Sequence, residues 1–230
     1  LEALLRWQSP DHGFLSPDRF LPLAESSGLI VPIGNWVIEE ACRQMKVWYD
    51  QGHQEWSVAV NLSAVQLEHH SLVDVVREAL RKHSLDPSHL VLEITETTAM
   101  CNAETSLTVL NKLSDLGVSI SIDDFGTGYS SLLYLKRLPA NELKIDRGFI
   151  TELAQDNDDE AIIQAIIALG KTLDMRIVAE GVETAEQQAL LTQLGCNTLQ
   201  GYLLARPAPP EALLEKIAHM TQRTESALVT

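Results

Sequence analysis

Basic residues are scarce in this chain: 17 Lys and Arg stand against 32 Asp and Glu, giving a formal charge of −15 over 230 residues. That balance excludes the broad basic face that grips long nucleic acid, and leaves room for a small anionic ligand whose charge is offset by bound divalent cations. Cysteines are few as well. Cys42, Cys101 and Cys196 are odd in number, far apart and without metal-ligand spacing, so they read as buried or free thiols in a reducing compartment. The seven histidines show no ligand pattern either, and His69-His70 reads as a solvated loop or helix start. No apolar run reaches the roughly 18 to 20 residues needed to span a bilayer; Ala161 to Leu169 is interrupted by Gln164 and reads as a buried helix. A Pro-, Ser- or Gly-rich linker, a low-complexity tract and a short internal repeat are all missing, which predicts one domain over residues 1–220 and a frayed polar tail over 221–230. The expectation is a soluble cytoplasmic domain, with the membrane attachment of any parent protein left open.

What is present is an alternation. With 45% apolar residues the chain can bury a sizeable core. Strand-like runs fall near Glu2 to Trp7, Ser57 to Leu62, Leu90 to Thr95, Val118 to Asp123, Glu142 to Asp146, Arg176 to Glu180 and Thr198 to Leu203. Helical periodicity falls near Gly34 to Asp50, Leu72 to His83, Ala103 to Leu116, Ser130 to Arg137, Asp158 to Leu173, Ala185 to Leu194 and Pro210 to His219. Acids at 156–160 suit a helix N-terminus, where the macrodipole favours negative charge. Strands alternating with helices predict a parallel α/β sheet with helical crossovers. Seven strands are one short of a closed (β/α)8 TIM-like barrel. Because the first run opens at Leu1, the expectation is a barrel lacking its first strand in this N-terminally trimmed chain. A doubly wound open sheet is the alternative, but its glycine fingerprint after the first strand is absent.

The segment Ile122-Asp123-Asp124-Phe125-Gly126-Thr127-Gly128 holds two adjacent carboxylates at the end of an apolar run, followed by a glycine-rich loop. Within a strand, neighbouring side chains face opposite ways, but at a strand end the backbone turns and both acids can converge on a cation. An ordinary Asp/Gly turn is the plain alternative. Other polar residues lie within or at the ends of the remaining runs: Glu2, Asn61, Glu93, Lys144, Glu180 and Gln200. Each alone has a structural explanation, as a helix cap, a turn or an ion-pair partner for Lys144. Together they gain a second one, because in a parallel barrel all C-terminal strand ends open onto one face, where enzymes of this architecture place their chemistry. Hard oxygen donors without His or Cys favour magnesium or manganese, and adjacent acids allow one carboxylate to bridge two ions. A pair of such ions can activate water and clamp the attacking and leaving oxygens at phosphorus, with Lys144 adding positive charge nearby.

Six motifs in order resemble a known family: Glu2-Ala3-Leu4-Leu5-Arg6-Trp7, Asn61-Leu62-Ser63, Leu92-Glu93-Ile94-Thr95-Glu96, Asp123-Asp124-Phe125-Gly126-Thr127-Gly128, Leu143-Lys144-Ile145-Asp146 and Ala179-Glu180-Gly181-Val182-Glu183. Leu199-Gln200-Gly201-Tyr202-Leu203 and Arg206-Pro207 follow. The chain resembles the EAL-domain cyclic di-GMP phosphodiesterases. That resemblance implies hydrolysis of cyclic di-GMP to linear 5′-pGpG with two Mg²⁺ or Mn²⁺ ions per site. It assigns Glu2, Asn61, Glu93 and Asp123 to the first ion, and Asp123, Asp124 and Glu180 to the second. By the same resemblance Lys144 orients or activates the attacking water, Gln200 helps position the centre, and Arg6 contacts phosphate or guanine. Phe125 to Ser131 resembles the family's sixth loop, with Gly126, Thr127 and Gly128 in it and Glu96 similar to the acid that tethers it; Glu183 is a supporting acid. A homodimer and sensory or regulatory domains of a larger parent protein are further implications. Two rivals differ in class: a non-catalytic cyclic di-GMP receptor, and a metal-dependent barrel lyase or isomerase. The full ligand set weighs against the first, and the ordered motifs against the second.

Overall fold

The computed structural model describes residues 1–128, 132–153 and 157–217, in two compact units. Leu1–Lys144 with Leu173–Met175 form the first; Ile145–Thr172 and the chain from Arg176 onward form the second. The strands are β1 (Glu2–Ala3), β2 (Trp7–Ser9), β3 (Gly13–Leu15), β4 (Val58–Asn61), β5 (Leu90–Thr95), β6 (Ser119–Phe125), β7 (Glu142–Ile145), β8 (Arg176–Ala179) and β9 (Thr198–Leu199).

In the first unit β1, β4, β5 and β6 pair in parallel, with Glu2 opposite Ala59, Asn61 opposite Glu93, and Thr95 opposite Asp123. Asn141, just before β7, continues the sheet by donating its N–H to Ile120 O and accepting the Ile120 N–H on its side-chain oxygen. Strands buried on both faces read as continuous apolar runs. Leu90, Val91, Leu92 and Ile94 of β5 are all 5% exposed or less, and burying each such side chain stabilises by about 1.5–3 kcal/mol. A polar residue among them stands out for that reason: Glu93.

The helix Ile30–Asp50 covers this sheet through Ile30, Ile38, Ala41, Cys42, Met45 and Trp48, a stripe at spacings of three and four. It begins earlier than the expected Gly34, because Pro32 lies in the first turn, where its missing N–H costs nothing. Leu72–His83 matches its expected bounds and ends at Ser84 in the left-handed conformation. The expected strand over Glu2 to Trp7 is corrected: the chain leaves the parallel sheet after Ala3, and Trp7 opens an antiparallel hairpin with β3. After it, Pro17–Ser26 forms a helix that is not among the expected ones. The three cysteines are free; burial pushes the Cys42 thiol up to about 12 and Cys196 to about 11.

In the second unit β8 pairs in parallel with β9, and Ala185–Leu194 opens on a capping box between Thr184 and Gln187. The expected strand to Leu203 stops at Leu199, where Gly201 starts a turn closed by Leu204 N–H on Gly201 O. The last helix covers 210–217; the ends of the expected helices at Ser130 and His219, part of the 156–160 acid run and the 221–230 tail lie outside the described residues. Among those residues no helix is long and apolar enough to cross a membrane.

Candidate active site

The parallel register of the first unit brings the C-terminal ends of β1, β4, β5 and β6 to one edge of the sheet, each carrying a polar side chain, and Lys144 of β7 reaches the same place through Glu93 and Asp123. At the rim Asn61 is exposed and its Nδ2 donates to Glu2 Oε1 at 2.7 Å. That leaves the amide Oδ1 as the atom a cation would take.

Deeper, Lys144 Nζ stands 3.0 Å from Glu93 Oε2 and 3.3 Å from Asp123 Oδ2. Lys144 is 1% exposed, Glu93 3% and Asp123 9%. The other Asp123 oxygen accepts the Asp124 N–H at 2.9 Å. One ammonium thus serves two buried carboxylates, with the acids of Glu2 and Asp124 close by in sequence and register. Burial pushes Glu93 up to about 8; Lys144 pulls it down, while Glu2 and Asp123 push it further up. Such a cluster is short of positive charge. Hard carboxylate and amide oxygens, an acid held protonated by burial and like charge, and no soft ligand among them fit a hard divalent cation.

Beyond Asp123 the chain turns sharply. Asp124 adopts a φ of +52°, a left-handed conformation uncommon for a non-glycine residue. Its carbonyl accepts the Thr127 hydroxyl at 2.8 Å, and the Gly126 N–H donates to Glu96 Oε2 at 3.0 Å. Glu96 is 2% exposed, at the start of the short helix Glu96–Met100. A Cβ on Gly128 would lie 2.7 Å from Glu96 Oε1, so only glycine fits there without displacing the acid. Glu96 therefore meets Gly126 and Gly128 as the sequence suggested, whereas Tyr129, Ser130 and Ser131 of that loop lie outside the described residues.

Arg6 is exposed and turns its Nη1 to its neighbour's carbonyl, Leu5 O, at 2.8 Å. In the second unit Glu180 follows β8, and its N–H donates to Ile145 O at 3.2 Å. Gln200 follows β9 and is tied by its backbone to Ala179 O and Val182 N–H. A Cβ on Gly201 would meet the Val182 backbone at 2.1 Å, which makes glycine obligatory beside Gln200. Glu183 is exposed, with its N–H on Gln187 Oε1. Tyr134, which no motif marks, has a buried hydroxyl that meets Ala99 O and Ala103 O. A polar phenol amid Leu132-Leu133-Tyr134-Leu135 was the available signal.

A family model described as EAL domain matches residues 1–207. The chain belongs to the EAL domain family. It is 66% identical over 218 residues to the bifunctional diguanylate cyclase/cyclic di-GMP phosphodiesterase MucR of Pseudomonas aeruginosa, covering 95% of this chain and 32% of that protein. To the cyclic di-GMP phosphodiesterase NbdA of the same organism it is 49% identical, over 94% of this chain and 28% of the relative. The EAL domain here thus spans about a third of the length of these curated relatives. A solved structure titled PaMucR Phosphodiesterase, c-di-GMP complex superposes with a TM-score of 0.89 at 67% identity, covering 92% of this chain and 86% of that one. The α/β, TIM-like barrel class expected from the alternation of strands and helices is the fold of this EAL domain.

Proposed function

We propose that this EAL domain hydrolyses one phosphodiester bond of cyclic di-GMP to give linear 5′-pGpG, using Mg²⁺ or Mn²⁺, with two ions per site. The observation that carries the reading is the buried Glu93–Asp123–Lys144 cluster at the strand ends, in a chain 67% identical to a phosphodiesterase solved with c-di-GMP. Glu2, Asn61, Glu93 and Asp123 would hold the first ion, and Asp123, Asp124 and Glu180 the second. When bound, such ions lower the pKa of water and offset the charge that builds on phosphate oxygens.

The chain's own residues do the rest. Lys144, held 3.0 Å from Glu93 and 3.3 Å from Asp123, directs the attacking water. Asp124, at a positive φ within β6, presents a carboxylate beside that of Asp123. Arg6 offers an exposed planar fork to a phosphate or a guanine edge, and Gln200 positions the substrate. Glu96 keeps Gly126, Thr127 and Gly128 in place, and Glu183 supports its strand end.

The same reading takes residues 1–220 as one phosphodiesterase domain with a tail over 221–230, a cytoplasmic part of a larger signalling protein whose other domains sense or regulate. It takes the domain to pair with a second copy, and Leu132 and Leu133, 60% and 76% exposed, supply apolar surface for this. Purified protein incubated with cyclic di-GMP and Mn²⁺ or Mg²⁺ yields pGpG on this account. Intact dinucleotide after incubation, with tight binding in EDTA, identifies a non-catalytic receptor instead.

A further inference from the structure

Asp124 holds an unfavourable backbone conformation, and a non-glycine residue stays at positive φ only where its surroundings over-determine it. On the near side the surroundings are visible: Thr127 closes a turn on Asp124 O, and Glu96 takes the Gly126 N–H. On the far side, after residues 129–131, comes the short helix Leu132–Leu135. Tyr134 in it is 8% exposed, and its hydroxyl lies 2.9 Å from Ala99 O and 2.8 Å from Ala103 O. Ala99 belongs to the last turn of Glu96–Met100, where carbonyls have no further helical partner. Ala103 opens the next helix, after a turn in which Asn102 sits at a φ of +47°. The phenol's single proton is shared between these two carbonyls, so one hydrogen-bond donor spans the break between two helices. Burial keeps it above its ordinary 10, so it remains a donor; Glu104 adds to that rise and Arg137 opposes it. Arg137 also reaches Glu104 at 3.0 Å, but this pair is exposed.

The stretch Glu96–Glu104 is thus gripped twice by one downstream segment, through Glu96 before residues 129–131 and through Tyr134 after them. We propose that Tyr134 is a positioning residue: by holding Ala99 and Ala103, its hydroxyl fixes the short helix Glu96–Met100, whose Glu96 takes the Gly126 N–H, and so sets where the neighbouring carboxylates of Asp123 and Asp124 stand. The inference rests on the reading of these aspartates as ligands of divalent cations.

The test is Tyr134→Phe, which keeps the ring and removes only the hydroxyl. Mn²⁺ affinity is measured by titration calorimetry on metal-free protein without nucleotide, together with kcat and KM for cyclic di-GMP and the thermal midpoint. Mn²⁺ affinity and kcat each fall about three- to tenfold, the worth of one buried hydrogen bond, while KM stays within about twofold. Arg137→Ala leaves Mn²⁺ affinity within about twofold, because exposed pairs contribute little. Ile163→Val, a buried core change in the second unit, lowers the thermal midpoint without moving Mn²⁺ affinity. Wild-type Mn²⁺ affinity and kcat in Tyr134→Phe overturn the inference, and so does an equal loss of affinity in Ile163→Val. If the wild type binds Mn²⁺ but leaves the dinucleotide intact, the phosphodiesterase reading falls while the affinity comparison still decides the role of Tyr134.

Discussion

The surface of the helix Ile30–Asp50 and the strand ends of the same unit use the same chemistry under opposite conditions. Arg43 grips Glu40 one turn away with two bonds of 2.6 and 2.7 Å, yet the side chains are 47% and 41% exposed. Water screens such a pair, and its net worth is small. Lys144 and Glu93, 3.0 Å apart, have side chains only 2% and 3% exposed. There both groups have lost their hydration, Glu93 holds its proton up to about pH 8 for that reason, and an apolar pair of the same size would serve stability as well or better. Surface pairs tune a helix, whereas a buried pair with a second carboxylate attached is kept for something other than stability. The EAL domain keeps it where the proposed chemistry needs oxygen donors.

The comparison breaks most visibly at Lys144. In metal-free protein at pH 8, Lys144→Met leaves Glu93 and Asp123 without their cation, and urea unfolding should show a loss of about 3–5 kcal/mol. A loss under 1 kcal/mol would place the lysine in a wetter setting than described. Asp124→Asn removes a proposed ligand while leaving the fold intact: turnover of cyclic di-GMP should drop at least about a hundredfold, with an unchanged thermal midpoint in EDTA. Retained activity would move the chemistry elsewhere.

Acidity sharpens the contrast further. Folded Glu93 keeps its proton up to about pH 8, whereas the unfolded side chain releases it near 4.5. Between those values the folded form carries the extra proton, so raising the pH favours unfolding. Stability of metal-free protein should fall through that window by at most about 1.4 kcal/mol per pH unit, and Glu93→Gln should remove that slope. An unchanged slope in the variant would assign the effect to another group. Smallest of all, Arg43→Ala should cost no more than about 0.5 kcal/mol by urea unfolding, since its pair is screened.

Legibility in the sequence followed the same division between buried and exposed. Leu90–Thr95 and Leu72–His83 match their expected bounds to the residue, because a buried parallel strand and an amphipathic helix each impose a pattern that the side chains cannot avoid. The hairpin Trp7–Leu15 was read as the end of one strand, since three-residue strands are too short to show a period. Pro17–Ser26 was hidden by Pro22 in its interior, although Ser16-Pro17 is a helix-start pattern. For the site, the ordered motifs point to Glu2, Asn61, Glu93, Asp123 and Lys144; in the first unit Asn61 meets Glu2, and Lys144 meets Glu93 and Asp123. The depth of Lys144 was not legible, because a lysine in a short strand looks the same whether it snorkels outward or pairs inside. Tyr134 escaped for a related reason: its partners are backbone carbonyls some thirty residues upstream, which leave no trace in side-chain pattern.

The central claim is that acids gathered at the strand ends hold divalent cations against a phosphodiester. It is tested most directly by following Mn²⁺ occupancy and pGpG release in one titration of EDTA-treated protein. The account predicts no release without Mn²⁺ and a rate that climbs in step with occupancy. Cleavage undiminished in EDTA, or full occupancy with the dinucleotide left whole, would contradict it.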